Sequence, residues 1–289
     1  MKIKTILFSV LIFSSFAFSP NKQAYQLFKE NGKKTKYKQL IRDARKADIV
    51  FFGELHNNPI CHWMQLEISK SLFEQKGADL IMGAEMFESD NQLLIDEYLN
   101  GLITEKSFEK EARLWPNYKT DYKPLLELAR EKQLEFIATN IPRRYASVVH
   151  KNGFEGLEDL SLQAKSYIAP LPVVYDSTLP GYKAMLEMMG GMGGHANTNL
   201  PKAQAIKDAT MAHFILEHFE KGKLFIHFNG AYHSKNFEGI VWYLKEARPQ
   251  LNILTISSEE QKELDKLKEE YEETADYILV IPEDMTKTY

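Results

Sequence analysis

In FFGELHNNPICH, residues 51–62, an apolar run that starts just before Phe51 stops at Gly53. It gives way at once to Glu54, His56, a proline and His62. A short apolar run closed by glycine reads as a buried strand. The residues that follow then lie at the strand's carboxyl end, where open α/β sheets bind their ligands. With DIVFFG (48–53), five further runs share this character: DLIMGAE (79–85), LEFIATN (134–140), KLFIHFNG (223–230), LNILTIS (251–257) and DYILVIP (276–282). Near-continuous apolarity marks parallel strands covered on both faces. Helical periodicity fills the gaps, as in Ile60, Met64, Ile68 and Leu72. The alternation predicts an α/β fold, a mostly parallel sheet flanked by helices and joined by right-handed crossovers.

Two gaps are too long for one crossover helix. Residues 86–133 hold at least three helical segments and 154–222 three more with a loop between them, and they are expected to pack together as an inserted helical subdomain. Ser89 and Gln92 read as a capping box, and Asn31-Gly32 as the turn of a small hairpin. The charge-rich segment 258–274 reads as a solvated helix before the last strand.

Composition narrows the function. A chain of 289 residues, 44% hydrophobic, can bury one large core. The formal net charge is −4 with the charges scattered, and no basic stripe points to nucleic acid. The single Cys61 excludes a disulfide framework and a multi-cysteine metal site. Lys2 and Lys4 precede the apolar stretch Ile6 to Phe13 and then Ser15-Phe16-Ala17. This pattern reads as a cleaved signal peptide over residues 1–19, leaving 20–289 as one domain, exported to the periplasm or cell envelope. The run is short for a membrane span, and no cysteine follows it to take a lipid.

The strand ends converge. Strand one delivers Glu54 and His56, strand two Glu85, and strand three Asn140 followed by Arg143. Strand four contains His227, and His233 follows it. Glu54, His56, Glu85, His227 and His233 could hold a divalent metal ion. Glutamate with histidine also makes a general base with an orienting partner. His62, Asn140 and Arg143 complete the candidate pocket. Taken singly, each has a plainer role: Glu54 as a helix cap, His62 as a structural residue, His227 as a satisfied core histidine, Arg143 as a solvated charge. Four strand ends meeting on one edge is what points to a site. No G-x-S-x-G or H-E-x-x-H motif is present. GGMGGH (190–195) lacks the lysine and hydroxyl of a phosphate-binding loop and follows no strand.

The segments GELHNNPICHWMQ, GAEMFESDNQLLIDEYLNG, WPNYKTDY, ATNIPRR, QAIKDATMA and FNGAYHSKNFEGI occur in that order. Together they resemble the ChaN-like haem-binding uptake proteins of the Tiki superfamily over residues 24–257. The resemblance implies haem binding linked to iron uptake. Wider relatives include erythromycin-esterase-like and metal-dependent proteolytic proteins, whose working residues would correspond to Glu54, His56, Glu85 and His233. Many ChaN-like proteins are lipoproteins, a point on which this sequence differs. Haem needs an apolar slot, an axial ligand and cations for its propionates. Tyr175, Met192 and His195 are candidate haem-binding residues in a glycine-rich stretch suited to a lid. Three readings follow: a haem-binding uptake protein, a metal-dependent hydrolase built on the Glu/His cluster, or a non-catalytic binder of another small ligand. Contact with a membrane, a transporter or a second copy of the chain is left open. Protein recovered from the cell envelope is expected to begin near Phe18 or Pro20. An intact-mass measurement checks this, and an uncleaved cytosolic product would refute it.

Overall fold

The computed structural model describes residues 22–190 and 199–289. The expected signal peptide, Met192 and His195 lie outside them. Each of the six apolar runs forms a strand: β3 (Ile49–Glu54), β4 (Leu80–Glu88), β5 (Phe136–Asn140), β6 (Leu224–Gly230), β7 (Ile253–Gln261) and β8 (Tyr277–Pro282). They follow the hairpin β1 (Gln26–Lys29) and β2 (Lys34–Thr35). Gly32 turns this hairpin with a φ of +71°, a backbone region open to glycine. The sheet order is β2-β1-β8-β7-β3-β6-β4-β5. The six strands from β8 to β5 are parallel, and the hairpin extends the edge antiparallel to β8. Every residue of β3 and β6 is buried.

The helices are α1 (Tyr37–Ala44), α2 (Pro59–Lys76), α3 (Gln92–Leu99), α4 (Glu105–Glu111), α5 (Lys123–Lys132), α6 (Arg143–Asn152), α7 (Leu162–Lys165), α8 (Pro180–Gly190), α9 (Leu200–His218) and α10 (Ile240–Ala247). Alternating strand residues divide them between two faces. Val50, Phe52, Met82 and Ile226 pack with α2 and the first insertion, through Met64, Ile95, Phe108 and Leu126. Phe51, Ile81, Ile137 and Phe225 pack with Met211 and Ile215 of α9 and Leu244 of α10. The second insertion adds a cluster of Leu157, Ile168 and Ile206 around Val149. The two insertions therefore share the sheet rather than a common core. No helix among the described residues is long and apolar enough to cross a membrane.

Two local expectations are corrected. Ser89 and Gln92 do not cap each other. Ser89 donates to the Tyr167 carbonyl (2.7 Å). Gln92 bridges to β5, donating to Phe136 O (3.0 Å) and accepting from Ala138 N (2.6 Å). The backbone of an edge strand outbids a local cap. The segment 258–274 is not a helix: β7 continues to Gln261, paired with β8, and a loop with one 3-10 turn follows. Glu259 and Gln261 of this extension are buried, and they and the half-buried Glu260 each find a partner. Glu259 meets Lys235 (2.7 Å), Glu260 accepts from Asn58 (2.9 Å), and the Gln261 amide holds the loop through Lys266 O (2.7 Å).

Candidate functional site: a buried carboxylate and imidazole chain

β3 leads into α2 on one face, whereas β6 leads through a tight turn at Ala231–His233 into α10 on the other. Where neighbouring strands send their chains to opposite faces, a crevice opens at their carboxyl ends. Glu54 of β3 pairs in register with Gly230 of β6 at this point. A cleft of about 710 Å³ lies above them. Glu54, His56, Glu85, Asn140, Arg143 and His233 all line it, as the strand-end reading anticipated.

The Glu54 side chain is fully buried. It accepts from His56 Nδ1 (2.8 Å), Tyr122 OH (2.7 Å) and the Gln65 amide. Tyr122 comes from a π-helical turn, Tyr118–Tyr122, a bulge that recurs near functional sites. With Nδ1 committed to Glu54, the other edge of the His56 ring faces the cleft, and the side chain is 37% exposed. Trp115 meets the ring edge-on at 5.0 Å. His62 is a buttress and does not line the cleft: it donates to the His56 carbonyl (3.0 Å) and lies 3.3 Å from Asp121.

Glu85 stands opposite. Its carboxylate accepts from Gly230 N (2.7 Å) and meets His233 Nε2 (3.3 Å). The other His233 nitrogen donates to Asp208 (2.5 Å), which also accepts from Tyr182 OH (2.6 Å). A Cβ on Gly230 would fall 2.8 Å from the His56 ring and 3.6 Å from Glu85. Glycine there lets both side chains close over the strand end. A Cβ on Gly53 would lie 2.8 Å from Ala231 Cα, so this glycine lets the two strand ends approach. The result is an alternating chain, Tyr122–Glu54–His56 facing Glu85–His233–Asp208–Tyr182.

Burial opposes charge at each of these groups, and their partners decide the outcome. For His56, burial disfavours the imidazolium, but Glu54 and Glu85 outweigh it and raise the pKa. For His233, the same contest against Glu85 and Asp208 pushes the pKa up to about 10. Glu85 is buried too, yet the His233 charge, His56 and the Gly230 N–H hold its carboxyl well below the usual carboxylate range.

Among the described residues, no group of three His, Cys, Asp or Glu side chains is placed to hold a metal ion. The metal set expected from the sequence, Glu54, His56, Glu85, His227 and His233, is not one set. Its carboxylates and imidazoles are spent on each other. His227 is turned to Thr139 (2.7 Å) and Asn229 (3.1 Å), and burial drives its pKa down to about 4. Tyr175 does not line the cleft either; it packs against Phe154 and Tyr182. The sequence reading missed Gln65, Tyr122, Asp208 and Tyr182 as partners. It also missed Trp115, Lys207, Tyr232 and Tyr289 as lining residues. Four of them lie in the stretches WPNYKTDY and QAIKDATMA, where no spacing rule marked them.

A family model described as haem-binding uptake, Tiki superfamily, ChaN, matches residues 40–244. The chain belongs to the ChaN family. Its fold is similar to ChaN of Campylobacter jejuni, a structure described as showing cofacial haem binding, with 18% identity and a TM-score of 0.67 over 89% of this chain and 96% of that one. A Bacillus cereus protein is similar at 14% identity and a TM-score of 0.50, covering 85% and 90% of the two chains. An erythromycin esterase variant aligns at 11% identity and a TM-score of 0.47, covering 85% and 78%. Comparison with curated protein sequences gave no match.

In this ChaN family member the ion chain predicts a pH profile of stability. His233 has its folded pKa raised from 6.5 to about 10. Its contribution is fully present below about pH 6.5 and is lost as the pH rises toward 10. Glu85 is lowered from 4.5, so its contribution is lost as the pH falls below that value. Thermal denaturation is therefore expected to show maximal stability between these limits. His233→Gln should lose ~3 kcal/mol or more near pH 6 and flatten the alkaline decline. An unchanged alkaline slope would contradict the assignment.

Proposed function

We propose that this chain binds haem in the cleft at the carboxyl ends of β3, β4 and β6, as an exported protein serving iron uptake. The observation that carries the reading is the reach of the family match. Every described wall of the cleft from Glu54 to His233 falls within residues 40–244. The lining supports it. A cleft of about 710 Å³ is within the size range of small-ligand sites, ~300–1,000 Å³. Trp115, Tyr232 and Tyr289 offer aromatic faces, and Arg143 and Lys207 offer cations for propionates. Neither cation is paired with a carboxylate among the described residues. Asn140 donates to Glu85 O (3.0 Å), but its own buried oxygen has no partner among the described residues. A ligand group could complete it. His56, half open to the cleft, is the imidazole best placed to reach the iron.

Haemin titration is expected to give a Soret shift that saturates at a defined stoichiometry. Replacing Arg143 and Lys207 together with alanine should weaken binding about tenfold or more, at ~1.5–3 kcal/mol for a charge-assisted contact. His56→Ala should alter the Soret position. Free-haemin behaviour throughout would end the haem reading.

A second reading rests on the two opposed carboxylate–imidazole pairs, which suit proton transfer. No serine, threonine or cysteine is among the described lining residues, and in this reading water is the nucleophile. Glu54 fixes the His56 ring through Nδ1 and leaves Nε2 to take the proton of that water. Glu85 and His233 would stabilise or return charge across the cleft. Turnover of activated chromogenic esters is expected to fall at least ~100-fold in His56→Asn, the scale of general base catalysis. Equal rates in the two proteins would exclude this reading.

A further inference from the structure

A second cleft, of about 750 Å³, lies between β2, α1 and the last turns of α2. Glu74, on its wall, is twelve residues beyond His62, roughly 18 Å along the helix at ~1.5 Å per residue. Five exposed cations line this cleft: Lys34, Lys36, Lys38, Arg42 and Arg45. Glu74 is the only carboxylate among its described lining residues. The chain carries 40 acidic against 36 basic residues, so one sign gathered this densely is a local feature that net charge does not explain.

Three of these five cations have partners among the described residues. Lys34 pairs with the exposed Asp265 (2.9 Å). Arg42 donates to the Gln39 side-chain oxygen and lies 3.9 Å from Asp43 Oδ1, which is also 3.9 Å from Lys46, while Tyr277 (2.7 Å), Gln39 (2.8 Å) and Lys29 (3.0 Å) donate to Oδ2. Arg45 reaches the neutral Gln75 at 3.5 Å. Lys36 and Lys38 meet no carboxylate among the described residues. The backbone compounds the imbalance. α1 begins after Lys36, whose side chain does not cap it, and its first turn holds no acidic residue. The positive end of the helix and its free N–H groups thus face lysines, like charge against like. Tyr37 and Ser71, bonded to each other at 2.9 Å, add hydroxyls to the wall.

We propose that this cleft binds a phosphate-bearing ligand, with the phosphate at the start of α1 between Lys36, Lys38 and Arg42. A phosphate group would satisfy the free N–H groups and neutralise the lysines at once. The planar forks of Arg42 and Arg45 match phosphate oxygens. A single carboxylate would leave most of the charge unmatched. The phosphate ester of a lipid headgroup and that of a soluble molecule share this chemistry.

The test uses the full chain with tripolyphosphate in calorimetry, and with phosphatidylglycerol against phosphatidylcholine vesicles in co-sedimentation. Tripolyphosphate, phosphatidylglycerol vesicles or both are expected to bind, more weakly as salt rises to ~0.15 M. Binding of tripolyphosphate alone identifies a soluble ligand, whereas preference for phosphatidylglycerol over phosphatidylcholine identifies a headgroup. The exposed triple variant Lys36→Glu, Lys38→Glu, Arg42→Glu should lose at least ~10-fold in affinity, with haemin titration and thermal denaturation as in the wild type. Absence of binding in both arms, or a triple variant that binds as the wild type does, overturns the proposal.

Discussion

Burying Glu54 at the end of a central strand is the constraint from which the rest of the site follows. An unpaired carboxylate there would be prohibitive. Its oxygens are therefore saturated by three donors from three elements: His56 just past β3, Gln65 on α2 and Tyr122 on the π-helical turn. Glu85 imposes the same demand across Gly230, met by a backbone N–H and by His233, which in turn needs Asp208. Each charge is tolerable because the next is present, and removing one member strands its neighbours. That coupling explains why side chains from β3, β4, α9 and the turn after β6 occupy one small volume.

The topology makes this meeting possible. β6 returns between β3 and β4, so segments far apart in sequence come to lie side by side. The helices after β3 and β6 diverge to opposite faces, which keeps the carboxyl ends of the strands open. Gly230 then removes the side chain that would fill the space between His56 and Glu85, and Gly53 lets Ala231 pack against the end of β3. The first insertion supplies Trp115 and Tyr122 from one face. The second supplies Lys207 and Asp208 from the other. The cleft is thus closed by both insertions although they share no core.

The same cleft carries two kinds of chemistry. Its floor is a closed ion chain in which an imidazole edge remains free. Its upper walls hold aromatic rings and the cations Arg143 and Lys207. A flat, amphipathic ligand with carboxylates uses the walls, and a proton transfer uses the floor. Haem binding draws chiefly on the first and hydrolysis on the second, which is why variants at Arg143 and Lys207 separate the readings from variants at His56.

The sequence by itself determined the six apolar strands, the hairpin at Gly32 and the residues placed at the strand ends. Glu54, His56, Glu85, Asn140, Arg143 and His233 could be named because a strand end fixes their position locally, within a few residues of an apolar run. Only the tertiary structure decided which groups satisfy them. Tyr122 lies 68 residues from Glu54 and Asp208 lies 25 from His233, and no periodicity links residues so far apart. It also decided which histidine serves the cleft. His227 and His233 are six positions apart, but the first points within the sheet to Thr139 while the turn at Ala231 swings the second toward Glu85. The polar run that continues β7 read as a solvated helix for the same reason. Burial of Glu259 and Gln261 is allowed only by partners that folding brings to them, and a partner supplied by folding leaves no mark in local sequence.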